Sequence, residues 1–526
     1  MAVIERSKLC GFGTFGSVYE ATYSGSKYAY KRFNEPLYFL QSVVRELACI
    51  NQINHENVIS MVAFLRIDNV YGMLLPLMDI NLAEYLDGNP SRHIAAKIMG
   101  QILRGVGCLH EWGWIHRDIK PYNIMISKLD HSVKVIDLGA STNVITCYDI
   151  SHDVQTVCYR PPEVLIMKRH TIESDIWSIG IIYAELLTGM LHVTSTELIL
   201  VQKIINTIGL GESIMPKSFE SQFIQFGSPY DKLSSFEVYE KVRAVASTSE
   251  MEILKKMMTV DPCKRALTAE LIGLFDGVNV VDTAVDSYTE RAFKKFLTIE
   301  KSISVPVVPS VGQVTIAIVM VIDASQTLKH MTITTFTAVE LMLGLVDLGS
   351  SDVYLLGLAC LHLAECFTEN KPADQEYYLE KLGVRDYTIR QLQNLERTIL
   401  EASGSTMFSV PNVYNFLNMV MHMIKKTNKT VGDIWPFAKN MLMLMYIMVE
   451  PVVGWLPSEL AITLFHYAKK VKSISDTDLN LTCTCVDMDI KIGKLESVVS
   501  TAAKFPESSV VGLAYRRIFA SPASGS

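Results

Sequence analysis

Residues 116–123 read HRDIKPYN, and DLG and PPE follow at residues 137–139 and 161–163. Between the first two blocks, Val133-Lys134-Val135-Ile136 reads as a short strand that ends on Asp137. A turn aspartate is the plain reading of such a residue, and a metal ligand is the other. Upstream, residues 11–18 read GFGTFGSV, a GxGxxGxV pattern. A glycine triplet alone is weak evidence, since an ordinary β-turn has the same composition. Here Val18-Tyr19-Glu20-Ala21 alternates after it, which marks a hairpin rather than the strand-to-helix turn of a dinucleotide site. Glycines in a hairpin let backbone N–H groups approach phosphate oxygens closely. Tyr28-Ala29-Tyr30-Lys31 then forms an alternating strand that ends on one lysine. Residues 42–53, SVVRELACINQI, carry Val43, Leu47 and Ile50 at the spacing of one helix face, with Arg45 and Glu46 in the middle.

A chain of 526 residues has room for two to four domains, each able to bury a core. Hydrophobic residues make up 49% and charged residues 20%, the balance of an ordered globular chain. A net charge of −7 argues against a surface built for nucleic acid or acidic membranes. The ten cysteines include no CxxC pair, and Cys483 and Cys485 lack ligand partners, so zinc is not expected. A reducing compartment, nucleus or cytoplasm, is the expected location. No signal-peptide pattern precedes the first patterned segment. The longest apolar runs, 314–322 and 441–449, reach about half the length of a membrane span and are expected to be buried helices.

In order and spacing, His116–Asn123, Asp137–Gly139 and Pro161–Glu163 resemble the HRDxKxxN, DFG and APE motifs of eukaryotic protein kinases. Residues 11–18 and Lys31 resemble that family's glycine-rich loop and third-strand lysine. Chance agreement across five motifs is negligible. The resemblance implies phosphoryl transfer from ATP with Mg2+, and with it a set of roles. Asp118 would take the proton of the substrate hydroxyl, and Lys120 would steady the γ-phosphate. Lys31 would hold the α- and β-phosphates with Glu46 as its partner, while Asn123 and Asp137 would hold magnesium. Gly11, Gly13, Gly16, Val18 and Ala29 would surround the nucleotide, with Leu75 as gatekeeper and Pro76-Leu77-Met78 as the hinge. Leu138 replaces the usual Phe, a change that removes no ligand.

The likeness narrows to cyclin-dependent kinases over residues 1–277, implying an α+β two-lobed kinase fold with lobes at 1–76 and 77–277. Residues 42–53 resemble the PSTAIRE-type helix, and Asp175–Gly180 and Val201–Gly209 also match the family. Asp261-Pro262-Cys263-Lys264-Arg265 resembles DPxKR, whose arginine pairs with the APE glutamate, here Glu163. In this family the helix glutamate must swing inward to meet the lysine, and a bound cyclin pushes the helix in.

From about residue 311 the pattern is all-helical. Tyr354–Ala364 is apolar nearly all round, so it is expected to be a central helix whose Gly and Ala admit close neighbours. Pattern alone gives a helical bundle. Leu363–Glu369 resembles the LASKFEE of the cyclin box, Tyr387–Leu400 its YTxxQLxxMExxIL segment, and Trp455–Ala461 with Phe465-His466 the second cyclin fold. That likeness, over about 311–472, implies an all-α tandem cyclin-box domain, with folds at 311–408 and 409–515 and a tail at 516–526. A linker at 278–310, helical in pattern at 287–297, would extend to ~100 Å at ~3.3 Å per residue. Tethering would supply an effective concentration on the order of millimolar. The two resemblances together imply a serine/threonine kinase activated in cis. It would act as a monomer on protein substrates in cell-cycle or transcription control, an arrangement suited to a compact genome such as a virus's.

Several positions depart from the families. Cyclins hold the kinase helix with the LASKFEE lysine and a later glutamate; Glu396 matches the glutamate, but Cys366 stands at the lysine. Gln313–Asp323 lacks the Met, Arg and Trp of the cyclin substrate-docking helix. Ser151 stands at the activating phosphothreonine, flanked by Asp149 and Asp153. Of the three arginines that grip that phosphate, Arg45 and Arg117 match, and Thr142 takes the third place. Thr14 keeps an inhibitory phosphosite, whereas Phe15 replaces the inhibitory tyrosine. Thr156, Tyr159 and Arg160 match TxxYR, which shapes a pocket for proline at +1, with Gln155 in place of a valine. The common theme is reduced dependence on outside regulators. A weak kinase serving as a scaffold is disfavoured by the intact Lys31, Glu46, Asp118, Asn123 and Asp137. A nucleic-acid module is disfavoured by 18 Lys/Arg against 21 Asp/Glu in residues 311–526, with no basic stripe.

Overall fold

The computed structural model describes residues 5–13, 16–33, 40–67, 70–88, 92–144, 155–167, 170–189, 237–276, 295, 311–345, 352–369, 372–403, 412–425, 434–448, 455–471 and 488–504. The chain divides into two compact units, the first made of most residues up to Val285 and the second mainly of those from Asp286 on. The expected linker (Lys295 apart), Val201–Gly209, Thr14, Phe15, Ser151, Asp149 and Asp153 lie outside the described residues.

The first unit begins with an antiparallel sheet in the order β1-β2-β3-β5-β4. Its strands are β1 (Glu5–Gly13), β2 (Gly16–Tyr23), β3 (Ser26–Phe33), β4 (Ala63–Ile67) and β5 (Val70–Pro76). The glycine-rich stretch closes the β1–β2 hairpin, with Gly13 opposite Gly16. A Cβ on Gly16 would lie 2.2 Å from the Arg32 carbonyl oxygen, so the close approach of β3 admits no side chain there. Helix α1 (Leu40–Gln52) follows β3. Its apolar stripe Val43, Leu47, Ile50 is buried as the spacing predicts, but Arg45 and Glu46 are buried too. Buried charges require partners, and α1 is therefore tied electrostatically as well as by packing.

After β6 (Ile80–Asn81), α2 (Leu82–Asp87) and α3 (Ala95–Glu111), short strands carry the loops of interest. Strand β7 (Trp114–Ile115) pairs with β10 (Thr142–Asn143), and β8 (Ile124–Ile126) lies between β6 and β9 (Val133–Val135). Helices α4 (Pro162–Met167), α5 (Ile172–Thr188), α6 (Glu237–Val245), α7 (Thr248–Met257) and α8 (Thr268–Asp276) complete the described part. Ile98, Ile102 and Val106 of α3 share one core with Trp177, Ile179 and Ile182 of α5 and Leu254 of α7. Each such side chain contributes about 1.5–3 kcal/mol on burial. The base under the loops is thereby rigid.

The second unit is helical throughout its described residues. The first set is α9 (Val311–Leu328), α10 (Thr332–Leu343), α11 (Val353–Thr368), α12 (Gln375–Lys381) and α13 (Ile389–Ser403). The second is α14 (Val413–Lys425), α15 (Ile434–Met448), α16 (Pro457–Val471) and α17 (Met488–Ala502). Helix α11 is buried from Leu356 to Thr368 and packs on α9, α10 and α13. A Cβ on Gly357 would stand 2.8 Å from Val321 Cγ2, which is the close approach its small residues predict. Helix α16 packs on α14, α15 and α17 in the same way. Among the described residues no helix is long and apolar enough to cross a membrane.

Candidate active site

Strand register aligns the residues expected to surround the nucleotide. Val18 lies opposite both Gly11 and Lys31, and Ala29 opposite Leu75. Ala29 and Lys31 are two residues apart, so Val18, Ala29, Lys31 and Leu75 share one face of the sheet. Leu77 and Met78 follow the end of β5, and Leu77 is partly exposed.

On that face Lys31 Nζ donates to Glu46 Oε2 at 2.7 Å, to Glu46 Oε1 at 2.8 Å and to Asp137 Oδ1 at 2.9 Å. Burial by itself would favour neutral lysine, but the carboxylates of Asp137 and Glu46 outweigh it and hold the Lys31 pKa raised. Burial pushes Glu46 up, with Lys31 opposing, whereas Lys31 holds Asp137 below its ordinary range against burial. Removing Lys31 would leave two like charges facing each other, whereas removing either carboxylate would leave the other still paired with the ammonium. Asp137 has φ 62°, a left-handed conformation that turns the chain directly after β9. Leu138 beneath it is fully buried.

Asp118 is held by four donors. Its Oδ1 accepts from Thr156 N at 3.1 Å and Thr156 Oγ1 at 3.2 Å. Its Oδ2 accepts from Asn123 Nδ2 at 3.0 Å and lies 2.8 Å from Lys120 Nζ. Lys120 Nζ also donates to Thr156 Oγ1 at 3.0 Å. Behind the loop, Asp175 on α5 is wholly buried and accepts from His116 N, Arg117 N and His110 Nε2. Burial raises the Asp175 pKa, but the hydrogen bond from His110 prevails and keeps it low. The His116 Nδ1 accepts from Asp118 N, which leaves Nε2 to donate to the Ile136 carbonyl at 3.0 Å. One ring thereby joins the residue before Asp137 to Asp118.

Because Asn123 Nδ2 also donates to the Asp118 carbonyl at 2.8 Å, its amide oxygen is the end left for acceptor duty. That oxygen and the Asp137 carboxylate are hard donors of the kind Mg2+ takes alongside phosphates and water. The described residues contain no cluster of three or more His, Cys, Asp or Glu suited to a metal. A site completed by nucleotide phosphates needs none.

Of the positions expected to be regulatory, Arg45 and Arg117 lie among the described residues, each next to a member of this group. Arg45 and Arg117 are buried, and Arg117 Nε donates to the Ala140 carbonyl at 2.7 Å. Thr142, at the third arginine's place, is buried in the β10–β7 pair. Arg265 Nη1 and Nη2 donate to Glu163 Oε1 at 2.6 Å and Oε2 at 2.7 Å, so the expected pair spans DPxKR and the PPE block. In the helical unit Glu396 is turned inward: its Oε1 meets His362 Nδ1 at 2.7 Å and its Oε2 accepts from Gln375 Nε2 at 3.0 Å. Cys366 is buried.

Three partners were not foreseen from the sequence: Thr156 on Asp118, His110 on Asp175, and His362 on Glu396. For the second a signal existed, since Ser174, Asp175, Ser178 and Glu185 interrupt a largely apolar buried helix.

A family model for the protein kinase domain matches residues 4–273. The chain is 35% identical over 186 residues to a probable cell division protein kinase of Encephalitozoon cuniculi, covering 34% of this chain and 69% of that protein. It is 28% identical over 293 residues to cyclin-dependent kinase F-4 of Oryza sativa subsp. japonica, covering 53% of this chain and 63% of that one.

Proposed function

This chain belongs to the protein kinase family and is an enzyme of the cyclin-dependent-kinase type, and from that premise we propose a serine/threonine kinase, directed to Ser or Thr followed by proline and held active by its own helical unit. Its phosphoryl donor is ATP. Mg2+, when bound, neutralises phosphate charge that would repel the incoming hydroxyl; Asn123 and Asp137 would hold it. Lys31 pairs with the α- and β-phosphates, and Glu46 keeps its ammonium in place. Asp118 orients the substrate hydroxyl and accepts its proton, while Lys120 steadies the transferring group. The observation that carries this assignment is the pairing of a Lys31–Glu46–Asp137 group, anchored on the buried Glu46, with an Asp118 fixed by Thr156, Asn123 and Lys120. Proteins of the nucleus or cytoplasm would be its substrates.

Proline direction is supported by Gln155, whose carbonyl accepts from Arg160 Nε at 2.9 Å. A carbonyl so engaged is turned from the substrate, and a residue at +1 with an N–H would bury it without a partner, at about 1–3 kcal/mol. Proline has no N–H to lose. Activation in cis, by a monomer, is supported by the inward Glu46 and by two helical sets that each centre on their third helix, α11 and α16. The cyclin-like segments fall on α11, α13 and α16. The test is an assay of the purified full chain, with no added cyclin, on a Ser/Thr peptide library. Robust activity with a preference for proline at +1 is expected; an inert chain that added cyclin awakens would overturn activation in cis.

A further inference from the structure

Gln155 carries more than its carbonyl. It is 7% exposed and has φ 83°, a left-handed conformation that costs a non-glycine residue about 1–3 kcal/mol. Its side chain is spent on holding that conformation. Nε2 donates to the Tyr159 carbonyl at 3.1 Å and to Ser178 Oγ of α5 at 2.7 Å. Ser178 Oγ in turn donates to the Tyr159 carbonyl at 2.9 Å. A carbonyl can accept but not donate, so the amide nitrogen must lie on the Tyr159 side. Oε1 is then buried with no hydrogen-bond partner among the described residues. An apolar side chain would fill the same space without stranding that oxygen, so the donor end of the amide is what the site uses.

We propose that Gln155 is a positioning residue for selectivity at +1. Its amide clamps the strained peptide to α5, which keeps the carbonyl on Arg160 and away from the substrate. Released from the clamp, the peptide relaxes to negative φ and its carbonyl becomes an acceptor for a +1 N–H. Discrimination against residues other than proline then falls. The inference rests on the proline-directed reading above.

The test compares kcat and KM of the full chain on two peptides that differ only in Pro or Ala at +1. With Gln155→Ala the Pro/Ala ratio of kcat/KM should fall about tenfold, or about 1.4 kcal/mol, mainly through improved use of the Ala peptide. Gln155→Gly, for which the left-handed peptide is unstrained, should keep more of the ratio than Gln155→Ala. Gln155→Glu, the same shape without the donor, should lose at least as much as Gln155→Ala. An unchanged thermal shift on adding ADP identifies variants whose nucleotide site is folded. If Gln155→Ala does not fold, Ser178→Ala removes the far end of the clamp and should lower the ratio several-fold. A selective wild type with an equally selective Gln155→Ala, or Ser178→Ala in its place, overturns the clamp alone. A wild type without preference for proline overturns the proline-directed reading and the clamp with it.

Discussion

Glu46 and Glu396 are buried glutamates on helices of different units, each 2.7 Å from a cation. Glu46 shares Lys31 with a second carboxylate, Asp137, on the sheet face that also carries Ala29 and Leu75. Among the described residues no second carboxylate lies at hydrogen-bond distance of His362, and a neutral Gln375 takes the other oxygen of Glu396. The first arrangement binds one cation between two anions and leaves chemistry to be done. The second neutralises a charge inside a bundle. Identical distances therefore signify different duties, and the number of carboxylates per cation separates them.

The largest effect should follow from breaking the first group. Lys31→Met strands the buried Glu46 opposite the part-exposed Asp137, so kcat/KM should fall by ~10³-fold or more, with about 3 kcal/mol of lost stability in the first unit. Peptide kinetics with a urea unfolding curve measures both. Asp118→Asn should spare nucleotide binding, which does not use it, and lower turnover by ~10²-fold or more because the proton acceptor is gone. Near-normal turnover in that variant would remove Asp118 from its role.

The second pair should respond to pH rather than to nucleotide. Burial alone would lower the His362 pKa, but the Glu396 carboxylate prevails and pushes it up to about 9. A group whose folded pKa is raised stabilises fully below its unfolded value near 6.5 and loses that contribution as pH rises to about 9. The second unit should lose on the order of 3 kcal/mol across that window, and His362→Gln should flatten the dependence. Thermal unfolding followed from pH 6 to 10 measures it; a wild-type midpoint that does not fall would contradict the pairing. The smallest effect is expected at Ser151. With two matched arginines rather than three, Ser151→Ala should keep substantial activity, and an inert variant would show strict dependence on phosphate.

The two regions also differ in how much the sequence told. Contiguous motifs such as His116–Asn123 named the first site because their chemistry constrains neighbouring residues, and the glycine hairpin and the 133–136 strand could be read from alternation. The depth of α1 could not. Periodicity marks one apolar face, whereas Glu46 is buried against Lys31 of another element, 15 residues earlier, and Arg45 is buried beside it. His362 escaped notice for the same reason: in an apolar helix it reads as a core histidine until Glu396, 34 residues on, is folded against it. The Gln155 clamp depends on Ser178, 23 residues downstream, and a substitution at one position does not announce its partner.

The central claim, that the helical unit activates the kinase by being tethered to it, is most directly tested by cutting the connection. A protease site placed within residues 278–310 of the full chain allows kinase activity to be measured before and after cleavage across a dilution series. Without the tether the second unit binds at its true concentration rather than at an effective one on the order of millimolar. Specific activity should be independent of dilution in the uncut chain and fall with dilution once cut. Cut protein that stays fully active at every dilution down to nanomolar would contradict it.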